Sequence, residues 1–175
     1  MAVRLVKPEA HHLEAWWRWR TDRDSRRFMA LPAGDLSEWA EKLAKAKTDL
    51  ADRTGELYRW MAEDDGVPVG SVSLGYVDWN HLFAELGYMV APEARGKGHG
   101  RAMASAALAL GFAGGLERIT AYICTDNPAS IGLAESLGFQ REGLLRRHAV
   151  IEGARRDHYL YALLKEEWRP PSPAT

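Results

Sequence analysis

The stretch EARGKGHGRAMASAAL, beginning at Glu93, constrains this chain more than any other. An aromatic and β-branched run, HLFAELGYMV, precedes it, and an alanine-rich helical run follows, so it has to form a strand-to-helix turn. The first unpaired N–H groups of that helix point back into the turn, where their partial positive charge favours an anion. Gly96, Gly98 and Gly100 leave the backbone bare enough for a bulky oxyanion to approach, and Arg95, Lys97 and Arg101 add positive charge. From these residues alone the turn reads either as a phosphate or pyrophosphate cradle or as a flexible basic surface loop. Two nucleotide motifs fail: Arg101 fills the place of the last glycine in G-x-G-x-x-G, and Gly98 stands where a P-loop needs Ser or Thr.

Around this turn the hydrophobic period changes repeatedly without a linker long enough to divide domains. A short strand at Val3–Val6 leads to a helix over about residues 8–20, opened by Pro8 and Glu9. RTDRDSRRFMALPAG reads as a loop. Asp35 and Glu38 have capping-box spacing before Leu36, Trp39, Leu43, Ala46 and Leu50 recur at helical intervals. LYRWMAED, VPVGSVSLGYVD and HLFAELGYMV then form an antiparallel meander, turned at Asp65-Gly66 and at residues 78–80. The helix after the glycine turn is expected over residues 102–112, followed by the strand RITAYI and by a helix that begins at Asn127-Pro128 and stops at Gly138. Two final strands, over residues 139–150 and 156–164, join through Glu152-Gly153. One domain over residues 1–169 with a loose tail over residues 170–175 is the expectation.

Composition limits the partners. Lysines and arginines number 23 and aspartates and glutamates 24, so the overall charge favours neither nucleic acid nor a membrane surface, and any anion has to be held locally. A single cysteine, Cys124, excludes an internal disulfide and multi-cysteine zinc patterns, and no apolar run is long enough for a membrane span. A cytoplasmic setting is expected. His11-His12 lacks further ligands and reads as a helix surface pair, so no metal is expected.

Arg95, Gly98 and Gly100 also spell Arg-x-x-Gly-x-Gly between GYMVAPEA and the alanine-rich helix. TDNPASIGLAESLGF follows, with Asn127 at a helix start and Leu137-Gly138-Phe139 at its end. In these two ordered motifs, over residues 82–139, the chain resembles the GNAT superfamily of acyl-CoA-dependent N-acyltransferases; DHYLYALLKEEW extends the resemblance more weakly. AELGYMVAPEARGKGHG is most similar to the ribosomal-protein N-terminal acetyltransferase branch. The resemblance implies an α/β (α+β) domain, with a mixed, mostly antiparallel sheet of about seven strands, about four flanking helices and splayed central strands.

It also implies acetyl-CoA as cosubstrate. Its pyrophosphate would meet the main chain of Arg95, Gly96, Lys97, Gly98, His99, Gly100 and Arg101, and its pantetheine arm would pair with Met89 and Val90. Asn127 serves either as a helix cap or as a hydrogen-bonding partner of that arm. The reaction implied is direct acetyl transfer to a primary amine, a protein N-terminus or a small molecule, in a ternary complex. Glu85 matches a position where the family often places a general base, and reads equally well as an exposed sheet charge beside Phe83 and Gly87. Many members carry a tyrosine as acid to the leaving thiolate where this chain has Ala134; Ser130 matches a serine that approaches the sulfur in the ribosomal-protein branch, or it bonds backbone at the helix start. Cys124 reads as a buried structural thiol rather than a nucleophile.

Acceptor contacts are implied around residues 21–34 and 150–157. Arg18, Arg20, Arg23, Arg26 and Arg27 suit an acidic acceptor or, with Asp22 and Asp24 interleaved, a solvated ionic surface. A homodimer is left open. The competing class is a non-catalytic acyl-CoA sensor, for which Ala134 is the one argument.

Overall fold

At Asp65 and Gly66 both residues have positive φ, 50° and 79°, which is what a two-residue turn needs to match the twist of the strands it joins. It links β2 (Leu57–Asp64) to β3 (Val67–Asp78). Glu152 and Gly153, at 49° and 79°, do the same between β6 (Gln140–Ile151) and β7 (Ala154–Leu164). With β1 (Val3–Val6), β4 (Phe83–Val90) and β5 (Arg118–Cys124), these make one seven-stranded sheet in the order β1-β2-β3-β4-β5-β7-β6. The computed structural model that gives this arrangement describes residues 3–30 and 35–170. Every neighbouring pair is antiparallel except β4 and β5.

The sheet has a helical layer on each face. On one side lies α4 (His99–Ala113), its buried Met103, Ala107, Leu108 and Phe112 turned to the sheet. Gly111 allows that approach, since a Cβ there would sit 2.9 Å from Leu74 and 3.0 Å from Ile119. The same face receives α5 (Pro128–Ser136), where Glu135 accepts a 3.0 Å hydrogen bond from the Tyr161 hydroxyl. On the opposite face α1 (Leu13–Thr21) inserts Trp16, whose indole N–H donates to Ser71 Oγ at 3.2 Å. Trp39 of α3 (Leu36–Ala44) meets Trp16 edge-on at 5.3 Å. Trp16 and Trp19 are fully buried, so this layer is anchored mainly by large aromatic area.

Several expected boundaries move, each for a local reason. The loop after α1 contains a single helical turn, α2 (Arg23–Arg26), which starts because the Asp22 carboxylate accepts from the Ser25 N–H at 2.8 Å. Among the described residues five helices flank the sheet, this short turn being the one added to the expected set of about four. The first helix does not begin at Pro8: a 3-10 turn at Ala10–His12 precedes α1. Asp35 caps α3 by accepting from Ser37 and Glu38, but that helix stops at Ala44 and Leu50 lies in a separate 3-10 turn. Three residues earlier than expected, α4 starts at His99, because Gly98 turns the chain at φ 84°. His12 is buried, not on the surface. Its Nδ1 accepts the Glu9 N–H at 3.0 Å, which leaves Nε2 carrying the proton it donates to Glu63 Oε1 at 3.0 Å. His11, His12 and Glu63 bring ligand atoms within 4.8 Å of one another, with His11 exposed and the hydrogen-bonded His12 and Glu63 buried. Residues 31–34 of the expected acceptor loop and 171–175 of the expected tail lie outside the described residues.

Candidate active site

The parallel pairing of β4 with β5 lasts only from Phe83–Arg118 through Ala84–Ile119 to Glu85–Thr120. Beyond it β4 runs on to Val90 and β5 to Cys124 with no further pairing between them. On its other side β4 keeps regular register with β3 as far as Gly70–Val90. The sheet therefore opens in its middle, and residues 86–90 present one unpaired edge into the gap. Unpaired strand edges are templates for an extended partner.

The glycine turn sits at the end of that edge. After a 3-10 turn at Pro92–Ala94, Gly96 and Gly98 adopt φ of 73° and 84°, which other residues resist. Gly98 is the N-cap of the fifteen-residue α4 and provides no side-chain acceptor, so the first N–H groups of that helix stay open. Gly100 has a different task from its two neighbours. A Cβ there would lie 3.2 Å from Val90 and 3.5 Å from Leu133, so its bareness seats α4 against β4 and α5.

The basic side chains of the turn point elsewhere. Arg95 donates to Ser25 Oγ at 2.7 Å and lies 3.5 Å from Asp22, tying the turn to α2. Lys97 bonds the Glu93 carbonyl at 3.0 Å, and Arg101 reaches the Ser136 carbonyl at 3.5 Å. The His99 imidazole is buried, 3.0 Å from both the Ala94 carbonyl and Asp64. What the turn offers an anion is main chain and a helix terminus, the combination suited to a pyrophosphate.

Across the gap, α5 begins at Asn127. Its side-chain oxygen accepts from the Ser130 N–H at 3.2 Å while its amide donates to Ser130 Oγ at 3.1 Å, so the asparagine caps the helix and leaves the serine proton free to donate. Ala134 is buried and brings no phenol. A phenol arrives from another element. Tyr88, on the unpaired part of β4, turns to the same face as Val90, and its hydroxyl is buried without a hydrogen-bond partner. Ser130 is near enough to act on its acidity, but the two oxygens form no proper hydrogen bond. Burial pushes the Tyr88 pKa up, which keeps the proton in place. Sequence reading missed this residue, because nothing in the spacing of positions 88 and 130 tells that they meet.

Glu85 occupies the last paired rung before the gap, on the face opposite α4 and α5, with Thr120 as neighbour. It is half-buried rather than an exposed sheet charge, and burial raises its carboxyl pKa. Tyr122 shares that face, its ring stacked on His148 at 5.0 Å. Cys124 is buried 3.4 Å from His158 Nε2; burial raises the thiol pKa and lowers that of the imidazole, so the pair is held neutral. A neutral thiol is a poor nucleophile. The carboxylate and the phenol thus flank the gap from opposite faces, with the glycine turn and the open first turn of α4 at its end.

A family model described as "Acetyltransferase (GNAT) domain" matches residues 2–140. The chain belongs to the GNAT family. It is 34% identical over 110 residues to the uncharacterized N-acetyltransferase YoaA of Bacillus subtilis, covering 61% of this chain and 62% of that protein. With the uncharacterized N-acetyltransferase p20 of Bacillus licheniformis it shares 30% over 169 residues, 94% of this chain and 93% of that one. The Vibrio cholerae spermidine N-acetyltransferase solved with CoA and spermine superposes with a TM-score of 0.83 at 25% identity, covering 94% of this chain and 96% of the other. Mycobacterium smegmatis RimJ, solved with CoA-disulfide, gives 0.81 at 28%, covering 94% and 83%. This GNAT chain is an acetyl-CoA-dependent N-acetyltransferase, and nothing in these likenesses favours a non-catalytic sensor. No described helix is long and apolar enough to cross a membrane.

Proposed function

We propose that this GNAT chain transfers the acetyl group of acetyl-CoA directly to a primary amine, with Glu85 as the base. The observation that carries the reading is the placement of a desolvated carboxylate at the last β4–β5 rung, where the sheet opens. Of the two residues expected to pair with a pantetheine arm, Met89 turns its carbonyl to β3, beside Gly70, whereas Val90, one position on, turns its main chain to the gap and suits an amide group of that arm; the open first turn of α4, after Gly98, suits its pyrophosphate. Acetyl-CoA supplies the activated acyl carbon. The amine nitrogen bonds to that carbon, the carbon–sulfur bond breaks, one proton leaves the amine toward Glu85 through water, and another reaches the departing sulfur. Tyr88 and Ser130 hold donor protons on that side of the gap. Cys124, neutral and buried beside His158, supports transfer without an acetyl-thiol on the protein. A cytoplasmic setting, without a metal, is part of the same reading.

Glu85→Gln keeps the shape and loses the ability to accept a proton. Turnover, followed as free thiol released from acetyl-CoA, should fall by roughly 10²- to 10⁴-fold with the acetyl-CoA affinity retained. Because burial raises the Glu85 pKa, the base is protonated first as pH falls, so the acid limb of kcat/KM should lie above the ordinary glutamate value and vanish in the variant. A variant with wild-type kcat across the pH range would remove Glu85 from the reaction.

A further inference from the structure

Two arginines on the Glu85 side of the sheet have no acidic partner among the described residues. Arg59, on β2, is opposite Ser73, which is opposite Gly87, so its side chain leaves the same face as Glu85. Its guanidinium carbon stands 5.1 Å above the Trp16 ring. Arg20, from the last turn of α1, lies 4.0 Å above the Trp39 ring and 5.0 Å from that of Trp16. The Arg20 Nε is buried without a hydrogen-bond partner. Burial and repulsion from Arg59 and Arg26 push its pKa down to about 10. Burial also lowers that of Arg59.

Such a cluster is costly to maintain. Cation–π contacts with Trp16 and Trp39 offset part of the cost, and an unpaired guanidinium remains a bidentate receptor for carboxylate or phosphate. Two strand spacings and two residues separate Arg59 from Glu85, roughly 12 Å between Cα atoms. A cationic polyamine, the ligand in the Vibrio cholerae structure, would meet repulsion here.

We propose that Arg20 and Arg59 form an anion subsite for the acceptor, so that the preferred amine carries a carboxylate or a phosphate. This rests on the acetyl-transfer reading and names the acceptor class for that same site. The anion docks on the guanidinium pair while the amine faces Glu85 and the gap. Arg59 is the better residue to change, because Arg20 is wedged between two core tryptophans.

The test uses the full chain with saturating acetyl-CoA and paired acceptors: O-phosphoethanolamine against ethanolamine, the C-terminally amidated tripeptide Ser-Glu-Asp against amidated Ser-Gln-Asn, and spermidine. The anionic member of at least one pair should have a kcat/KM ten or more times that of its neutral mate and of spermidine, and which pair responds separates phosphate from carboxylate. Arg59→Gln should raise KM for that anionic acceptor at least tenfold, change the neutral one less than twofold, and leave the KM for acetyl-CoA alone; Arg59→Lys should restore part of the loss. Equal use of charged and neutral acceptors, or a preference for spermidine, overturns the subsite while acetyl transfer stands. Should no probe be acetylated, calorimetry of the same pairs on the CoA-loaded protein decides: Arg59-dependent binding of the anionic member upholds the subsite against the transfer reading, and equal or absent binding overturns it.

Discussion

Adding one methyl group at Gly70 tests how tightly the unpaired edge of β4 is placed. A Cβ at that position would lie 2.5 Å from the Met89 carbonyl oxygen and 3.0 Å from Met103 Cε and Sδ. The Met103 side chain can bend, but the carbonyl is backbone and yields only if β4 moves. Comfortable carbon–oxygen contacts begin near 3.3 Å, so the strand has to retreat by about 0.8 Å. Overpacking of this kind costs about 1–3 kcal/mol, which at about 2 kcal/mol lowers Tm by about 4–8 °C in a chain of this length. Val90, the next residue and the one whose main chain faces the gap, is proposed to pair with the pantetheine arm and moves with the strand; one net hydrogen bond is worth about 0.5–1.5 kcal/mol, so acetyl-CoA affinity should fall by about 2- to 12-fold. Scanning calorimetry gives the first quantity and titration calorimetry the second. Gly66→Ala is the control: its φ is 79° and nothing lies within 4 Å, so it should cost about 1–2 kcal/mol of stability and leave acetyl-CoA binding unchanged. A Gly70→Ala protein with wild-type Tm would refute the packing argument, and one that melts early yet binds acetyl-CoA as before would refute the pairing at Val90.

Two further substitutions read the two sides of the gap. Tyr88→Phe removes a buried hydroxyl that has no partner, so Tm should hold or rise by about 2–4 °C while kcat falls by about 10- to 100-fold; a drop in Tm with kcat intact would reassign the phenol to packing. Asp22→Ala removes the cap of α2 and a partner of Arg95 together, and should lower stability by about 1 kcal/mol in a denaturant titration. An unchanged midpoint would mean that α2 is held from elsewhere.

What could be read in advance follows from how local each signal is. Alternation within LYRWMAED and VPVGSVSLGYVD, and the Asp65-Gly66 turn between them, specify the β2–β3 hairpin without reference to the rest of the chain. The glycine turn and the Asn127 cap are equally local. By contrast, α2 is one polar turn, RDSR, with no apolar period to announce it, and only the Asp22 to Ser25 spacing hints at its cap. The Arg95 side chain grips α2 at Ser25, 70 positions away in sequence, a contact that no local pattern announces. Glu85 was legible as a position but its burial was not, since that depends on β5 leaving after one shared stretch. Tyr88 beside Ser130 and Arg59 above Trp16 require the same knowledge of which strands separate and which helix covers them. Positions within one element were readable; juxtapositions across the gap were not.

On the proposed pairing, the edge left open by β4 and β5 would give acetyl-CoA a second office. A molecule that pairs with residues 86–90 completes the sheet, so it acts on the folded chain as a removable strand. Binding at a hundredfold excess over Kd adds about 2.7 kcal/mol to the folded state, or about 5–11 °C in Tm for a domain of this length. When the acetyl donor is scarce, the same edge stands uncovered in the middle of the sheet, shielded from other chains only by the narrowness of the gap and the helices above and below it. On that pairing, the supply of acetyl-CoA would bear on how much of this protein stays folded as well as on how fast it works.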